Sequence, residues 1–285
     1  MKKKIPFVKV VGAGNDFILV DGRRHPLGAS ASRLAQAWCD RKQGIGADGL
    51  LLIAPSRRAH ARMRIFNPDG SEAAMCGNGL RCVAWYLHTR DHGAKTLRVE
   101  TGAGLLKAQV VNDERVRLFL NPPKGLRLGI KLTLQGTTYT LHAVNIGVPH
   151  AILLVSRLER IDLNSFGRTV RFHRHFQPAG TNVNLLRILS AHRIAIRTYE
   201  RGVEAQTLAC GTGAVASVVI GTALGKLKPP VQVMTASQEK LTVGFRQNRK
   251  PWEGLYLEGP ARILFDGFGQ WRPNHRPLAK GTAFR

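Results

Sequence analysis

The chain is short of acidic residues and of cysteine, and it contains no long apolar run. Its 285 residues include four cysteines, Cys39, Cys76, Cys82 and Cys210. That is too few to staple a fold of this size, so a disulfide scaffold is excluded and free thiols in a reducing compartment are expected. No Cys-x2-Cys or His-x3-His pair accompanies them, which removes the usual zinc signatures, and no metal is expected. No stretch of 18 apolar residues occurs, so no transmembrane helix is expected. The basic tip Met1-Lys2-Lys3-Lys4 meets Ile5-Pro6-Phe7 without the apolar region of a secretory signal, and a cytoplasmic location is the expectation.

The shortage of acid leaves 43 Lys and Arg against 18 Asp and Glu, a net charge of +25. Such an excess first suggests nucleic acid. Its distribution points elsewhere: residues 1–142 hold 23 basic and 10 acidic side chains, and residues 143–285 hold 20 and 8. No helix-turn-helix, RNA-recognition or zinc-finger pattern accompanies the charge, so a solvated basic surface fits better than a nucleic-acid partner. Residues 271–285 are expected to form a basic, poorly ordered tail. With 44% hydrophobic residues, the length suits one large domain or two of ordinary size.

What the chain does have is a duplication. Met75-Cys76-Gly77-Asn78-Gly79 and Ala209-Cys210-Gly211-Thr212-Gly213 each place a cysteine before a glycine turn that enters an apolar helical stretch. The surroundings repeat at nearly the same offset: 134 residues separate Cys76 from Cys210, and 133 separate Phe66 from Tyr199, Arg64 from Arg197 and Gly14 from Gly147. A period of that length describes two related lobes, not a solenoid. The first lobe is expected over 1–121, rejoined by 260–270, and the second over 122–259, with the breaker Asn121-Pro122-Pro123-Lys124-Gly125 between them.

In the first lobe the pattern predicts a hairpin of strands 7–11 and 17–21, a helix over 32–41, strands near 50–54 and 62–66, a helix over 80–89 and strands over 97–120. The second retraces it: strands at 139–144 and 151–155, a helical region within 160–176, strands at 183–189 and 195–199, a helix over 213–224, and strands at 231–235, 240–246 and 254–258. Residues 261–265 are a further strand positioned to cross back to the first lobe. Gly213–Leu224 carries no charge and Leu80–Leu87 carries only Arg81. A helix apolar on every side must be buried. The expected fold is therefore mixed α/β (α+β): two pseudo-symmetric lobes, each a curled sheet around a buried central helix, with the active site in the cleft between them.

A helix N-terminus carries unsatisfied N–H groups and a partial positive charge. Each Cys-Gly-x-Gly should therefore lower its thiol from roughly 8.5 toward neutrality and leave room for a small anion on the bare amides. Two such thiols could work on opposite faces of one α-carbon, one removing a proton and the other supplying one. The amides would stabilise the charge that builds up on a neighbouring carboxylate. This chemistry needs no cofactor, and neither signature holds the lysine that pyridoxal phosphate would require. Taken singly, either cysteine would read as an ordinary small core residue; the duplicated setting favours the catalytic reading. Cys39 and Cys82 lack that setting and are expected to be structural.

At this point the residues resemble the diaminopimelate epimerase family of pyridoxal-independent amino-acid epimerases. The resemblance covers about 1–268. It rests on Gly12-Ala13-Gly14-Asn15-Asp16-Phe17, Gly44-Ile45-Gly46-Ala47-Asp48-Gly49, and Arg64 to Glu72 leading into Cys76-Gly77-Asn78-Gly79. Further on it rests on Ala179-Gly180-Thr181-Asn182-Val183-Asn184, and on Arg197 to Gly202 leading into Cys210-Gly211-Thr212-Gly213. The resemblance implies interconversion of LL- and meso-diaminopimelate in lysine and peptidoglycan-precursor synthesis, with Cys76 and Cys210 as the acid–base pair. It implies that Asn15, Asn67, Asn182, Glu200 and Arg201 hold the substrate's amino-acid groups, that Gly77-Asn78 and Gly211-Thr212 cradle a carboxylate, and that His150, with Glu200, supports catalysis. It also makes a homodimer an expectation. Three positions depart from the family pattern: Gly49 and Val148 replace a glutamine and an asparagine found in many members, and Gln206 replaces a carboxylate, which would favour a lower thiol pKa at Cys210. A related proline- or histidine-type racemase is the alternative enzyme, and a basic nucleic-acid-binding protein the alternative of another class.

Overall fold

The computed structural model describes residues 3–246 and 251–271; the expected tail beyond Trp271 lies outside the described residues. The chain divides into two compact units, one from Met1–Val110 with Ala261–Arg285 and one from Val111–Pro260. The breaker at 121–125 falls inside the second unit.

In the first unit, β1 (Lys3–Gly12) and β2 (Asn15–Asp21) form an antiparallel hairpin. Its two-residue loop is Ala13-Gly14, with φ of 49° and 87°. Two consecutive positive φ values are the turn that matches the twist of paired strands, and they deliver Asn15 as the first residue of β2. After α1 (Ala31–Trp38) come β3 (Gly49–Ala54), β4 (Ala61–Phe66), the short β5 (Glu72–Ala73), α2 (Gly77–Leu87), β6 (Thr96–Thr101) and β7 (Gly104–Asn112).

The second unit runs β8 (Arg115–Phe119), β9 (Lys124–Leu134), β10 (Thr137–Asn145), β11 (Pro149–Leu154), α3 (Leu163–Arg171), β12 (Asn182–Ser190), β13 (Arg193–Glu200), the short β14 (Ala205–Thr207), α4 (Gly211–Ala223), β15 (Val231–Met234), β16 (Lys240–Arg246) and β17 (Glu253–Pro260). The last strand, β18 (Arg262–Trp271), returns to the first unit and pairs with β1.

The duplication is written in the hydrogen-bond ladders. From β1 to β7 the pairings β1–β2, β2–β3, β3–β4, β4–β6 and β6–β7 alternate antiparallel, parallel, antiparallel, parallel, antiparallel. The pairings β10–β11, β11–β12, β12–β13, β13–β15 and β15–β16 repeat that order of senses. One helix links the first parallel pair in each unit, and the cysteine helix follows a short strand in each.

Both faces of the central strands are covered, which explains why Phe17–Val20 and Leu50–Ile53 read as continuous apolar runs and not as alternating ones. In the first unit Ile18, Val20, Leu50 and Leu52 face α1 with Leu34 and Trp38, while α2 packs against the other side of the sheet, where Gly79 lies against Leu51. In the second, Val183 and Leu185 join Leu163, Phe166 and Val170 of α3, and α4 packs against β10 to β13, β16 and β17. The α3 N-terminus is capped by the Asp162 carboxylate, which accepts from the amides of Asn164 and Ser165 at 3.0 and 3.4 Å.

Three strands escaped the sequence reading: the short β5 and β14, and the longer β9. β9 follows directly on the proline-rich breaker, and its residues Leu126, Leu128, Ile130, Leu132 and Leu134 alternate as a strand should. Gly125 and Gly129 adopt φ of 61° and 73° in its first half, where Leu126 and Leu128 remain exposed; Leu132 and Leu134 of its second half join the core, and the strand pairs with β10.

Every residue from Gly213 to Gly221 of α4 is buried. Its one hydroxyl there, Ser217 Oγ, is fully buried and has no hydrogen-bond partner among the described residues. An unpaired buried hydroxyl destabilises, and alanine is the better helix former. Ser217→Ala is therefore expected to raise unfolding free energy by about 1 kcal/mol in denaturant titrations; a lower midpoint would contradict this account of the helix interior.

Candidate active site

In the first unit Cys76 is the N-cap of α2, with extended backbone (φ −141°, ψ 119°). Its carbonyl accepts the first helical bond from Leu80 at 2.9 Å, and its Sγ accepts from the Gly79 amide at 3.5 Å. The thiol is half-buried. Close packing requires the glycines around this first turn. A Cβ on Gly12 would stand 2.9 Å from the Asn78 carbonyl oxygen, and one on Gly79 would stand 2.8 Å from Leu51.

The neighbouring asparagines are locked into a chain of charges. Fully buried Arg81 donates to Asn78 Oδ1 at 2.5 Å, Asn78 Nδ2 donates to Asn15 Oδ1 at 2.7 Å, and Asn15 Nδ2 donates to Asp48 Oδ2 at 2.9 Å. Arg41 then bridges Asp48 and Asp16 at 2.6 and 2.7 Å, and Lys9 pairs with Asp16 at 2.6 Å while donating to the Gly46 carbonyl. Burial alone would raise the Asp16 carboxyl, but the bonds from Arg41 and Lys9 prevail and hold it below the usual carboxylate range. The Asp48 oxygen that accepts from Asn15 keeps both amides in one orientation. Asn67, by contrast, is exposed, and its amide donates to Ser71 Oγ at 2.9 Å.

In the second unit Cys210 is the N-cap of α4 (φ −123°, ψ 107°) and is 6% exposed. Its Sγ lies 3.5 Å from Thr212 Oγ1. The sequence suggests a thiol lowered toward neutrality; the structure corrects this for Cys210, which is pushed up to about 12. Burial is the main cause and the Glu200 carboxylate adds to it, while the Thr212 hydroxyl and the Gly213 and Thr212 amides pull the other way and lose. Glu200 is itself raised by burial, with Thr207 opposing. Gln206, neutral where the family pattern carries a carboxylate, has its side-chain oxygen held by Arg197 at 2.6 and 3.0 Å, so Glu200 is the carboxylate that adds to the rise at Cys210.

The second unit gathers the other expected residues around β11 and β12. Asn182 donates to the Pro149 carbonyl at 3.1 Å and accepts from the Arg201 amide at 2.8 Å. The Arg201 guanidinium donates to the Ala179 carbonyl at 2.9 Å. His150 is 1% exposed, and its Nδ1 is 3.1 Å from Asn184 Nδ2. Burial, with the Arg201 charge behind it, lowers the imidazole to about 3, so the ring is neutral at ordinary pH. Cys39 and Cys82 are buried and, like Cys210, raised to about 12 by burial, but Cys39 is the C-cap of α1 and Cys82 lies within α2, so neither opens a helix.

The diaminopimelate epimerase family profile matches residues 7–124 and 142–264. The chain is 42% identical over 260 residues to a diaminopimelate epimerase of Chlorobaculum tepidum, covering 90% of this chain and 98% of that one. It is 39% identical over 272 residues to one from Aquifex aeolicus, covering 92% and 96%.

The chain belongs to the diaminopimelate epimerase family.

Among solved structures, a Bacillus anthracis phenazine biosynthesis protein of the PhzF family superposes with a TM-score of 0.72 at 16% identity, covering 94% of this chain and 99% of that one. An Agrobacterium vitis hydroxyproline epimerase with bound trans-4-OH-L-proline follows at 0.69 and 19%, covering 99% and 95%. At such identities the likeness is one of fold. Of the departures from the family pattern, Gly49 opens β3 where a Cβ would stand 3.0 Å from the Phe66 carbonyl oxygen. Val148 is half-buried in the β10–β11 turn, its carbonyl accepting from Ile146 at 3.0 Å.

The residues that motif reading passed over are the supporting ones. Arg81 and Asp48 fix Asn78 and Asn15, and Asn184 and Thr198 stand beside His150. A lone charge in an apolar helix and a second asparagine two residues from Asn182, hence on the same strand face, were the available signals.

Two outcomes follow from these environments. Glu200→Gln removes a negative neighbour of Cys210, so its thiol should become more acidic and its alkylation at pH 8, followed by peptide mass spectrometry, faster than in wild type; an unchanged or slower rate would contradict the assignment. His150 is lowered in the folded state and not in the unfolded one, so its contribution is full above about pH 6.5 and is lost as pH falls toward 3. Between those limits wild type should lose about 1.4 kcal/mol of stability per pH unit more than His150→Asn. Parallel pH–stability curves for the two proteins would show that the ring is not buried neutral.

Proposed function

We propose that the protein interconverts LL- and meso-2,6-diaminopimelate without a cofactor, Cys76 and Cys210 acting on one α-carbon from opposite faces. The observation that carries this reading is the pair of N-cap cysteines, each opening a buried helix in a duplicated unit within a family of diaminopimelate epimerases. Burial favours the protonated form of Cys210, which suits it to donate. In the direction it serves, a Cys76 thiolate takes the Cα proton as Cys210 delivers its own to the other face, leaving Cys76 as thiol and Cys210 as thiolate. The reverse direction exchanges the roles, so no proton is gained or lost overall.

Removing the α-proton puts extra negative charge on the adjoining carboxylate. The amides of Gly77-Asn78 and Gly211-Thr212, at helix N-termini, are the donors that meet it, already oriented before the reaction. Asn15, Asn67, Asn182, Glu200 and Arg201 supply the polar and charged groups that match a substrate with amino-acid functions at both ends. The Asn15 and Asn182 amides each spend one donor and one acceptor inside the protein, which leaves each an N–H and a lone pair for ligand.

A proline-type racemase is the second reading, favoured by the shared fold of the hydroxyproline epimerase. Incubation in deuterated water separates the two, with LL-diaminopimelate, L-proline and trans-4-hydroxy-L-proline offered in parallel. Early meso product should carry solvent deuterium at the inverted carbon while unreacted LL substrate stays unlabelled, because the abstracted proton remains on one sulfur and the delivered one comes from the other. Equal label in recovered substrate would refute two separate bases, and exchange only in the prolines would move the assignment. Cys76→Ala and Cys210→Ala should each lower turnover at least about 100-fold with the unfolding transition retained; wild-type turnover in either would remove that thiol from the mechanism.

A further inference from the structure

His150 is held by a buried side-chain relay entirely within the second unit. Asn184 and Thr198 are cross-strand partners on β12 and β13, and Ile152, two residues after His150 on β11, is paired with Asn184. Asn184 is fully buried, and its Nδ2 lies 3.1 Å from His150 Nδ1 and 3.3 Å from the Ala151 carbonyl oxygen. Thr198 Oγ1 donates to Asn184 Oδ1 at 2.9 Å. The relay packs on the first turn of α4: a Cβ on Gly213 would lie 2.4 Å from Asn184 Oδ1, 3.0 Å from Thr198 Oγ1 and 3.3 Å from the Cys210 sulfur.

The donors and acceptors admit one arrangement. A main-chain carbonyl only accepts, so the atom of the Asn184 amide facing Ala151 must be nitrogen. That same nitrogen faces His150 Nδ1, so Nδ1 presents its lone pair. The single proton of a neutral ring then sits on Nε2. His150 Nε2 is itself buried and has no hydrogen-bond partner among the described residues, which leaves a desolvated donor open to an acceptor.

We propose that Asn184, fixed by Thr198, is a positioning residue that sets His150 as the Nε2–H tautomer. The ring then serves the reaction as a hydrogen-bond donor at Nε2 and takes no proton there. The acceptor it fits is an anionic oxygen or sulfur of the reacting complex. This deepens the epimerase reading and rests on it for the reaction served, but the tautomer is measurable without turnover.

The test is nitrogen NMR on protein labelled with 15N-histidine, with the His150 signals assigned by their loss in His150→Gln. Wild type should show a pyridine-like Nδ1 and a pyrrole-like Nε2 at neutral pH. Asn184→Asp places an acceptor against Nδ1 and should move the proton there, with kcat down about 100-fold and KM little changed. Thr198→Val should weaken the bias toward Nε2–H, and Thr198→Ser should restore it. A wild-type ring protonated on Nδ1, or an unchanged tautomer in Asn184→Asp, overturns the proposal. If a variant fails to fold, the wild-type spectrum alone decides. Wild-type protein with the Nε2–H ring but no exchange on diaminopimelate would count against the reaction and leave the positioning assignment standing.

Discussion

The structure depends on one arrangement made twice: an uncharged or nearly uncharged helix buried against a sheet, its first turn opened by a cysteine. Burying such a helix sets aside the usual solution for its orphan N-terminal amides, which is water. A short side chain at the N-cap and glycines in the first turn are what remain. In α2 the Cys76 sulfur accepts from the Gly79 amide, and in α4 the sulfur of Cys210 lies beside the Thr212 hydroxyl. The feature that makes the fold possible is thus the one that presents the thiol. Neither helix could shift along its axis without breaking contacts such as Gly79 on Leu51 or Gly213 on Asn184.

The two thiols are nonetheless not copies of each other. Cys76 is half-buried and neighbours a chain of amides anchored in ion pairs, from Arg81 to Asp48 and Arg41. Cys210 is buried and sits near a carboxylate, and burial overwhelms the helix terminus that would lower its pKa. An argument from helix dipoles treats both sites alike because it sees the local sequence and not the solvent. For the proposed acid–base pair the difference is useful: one member has to begin as the acid, and desolvation favours that form at Cys210.

How much could be read beforehand follows the same line. The repeat offset, the apolar runs of β2 and β3, the charge-free helix after Cys210 and the returning last strand are all local patterns, and the ladders repeat in the two units in the order the duplication requires. β9 was obscured because it follows a proline-rich breaker, holds two glycines with positive φ and buries only its second half. The relay through Asn184 was invisible for a different reason. In a strand whose neighbours Val183 and Leu185 face a helix, a second asparagine looks like a polar lapse until the opposite strand supplies Thr198 and the adjacent one supplies His150.

That relay also explains why polar groups are tolerated in the driest part of the second unit. A buried asparagine has four hydrogen-bonding positions to satisfy, and Asn184 fills three of them with His150, Ala151 and Thr198. A buried polar network that is nearly complete fixes a single geometry, whereas an apolar replacement would leave the imidazole free to choose its tautomer. The unmatched atom is then the one at the end of the relay, His150 Nε2. The free protein bears the penalty of leaving that donor unpaired, and in the proposed role negative charge developing beside it in the transition state relieves the penalty. Interactions that form only as charge develops lower the barrier, while those already satisfied in the ground state do not. A donor left unpaired by a rigid scaffold therefore contributes more to the rate than one already bonded.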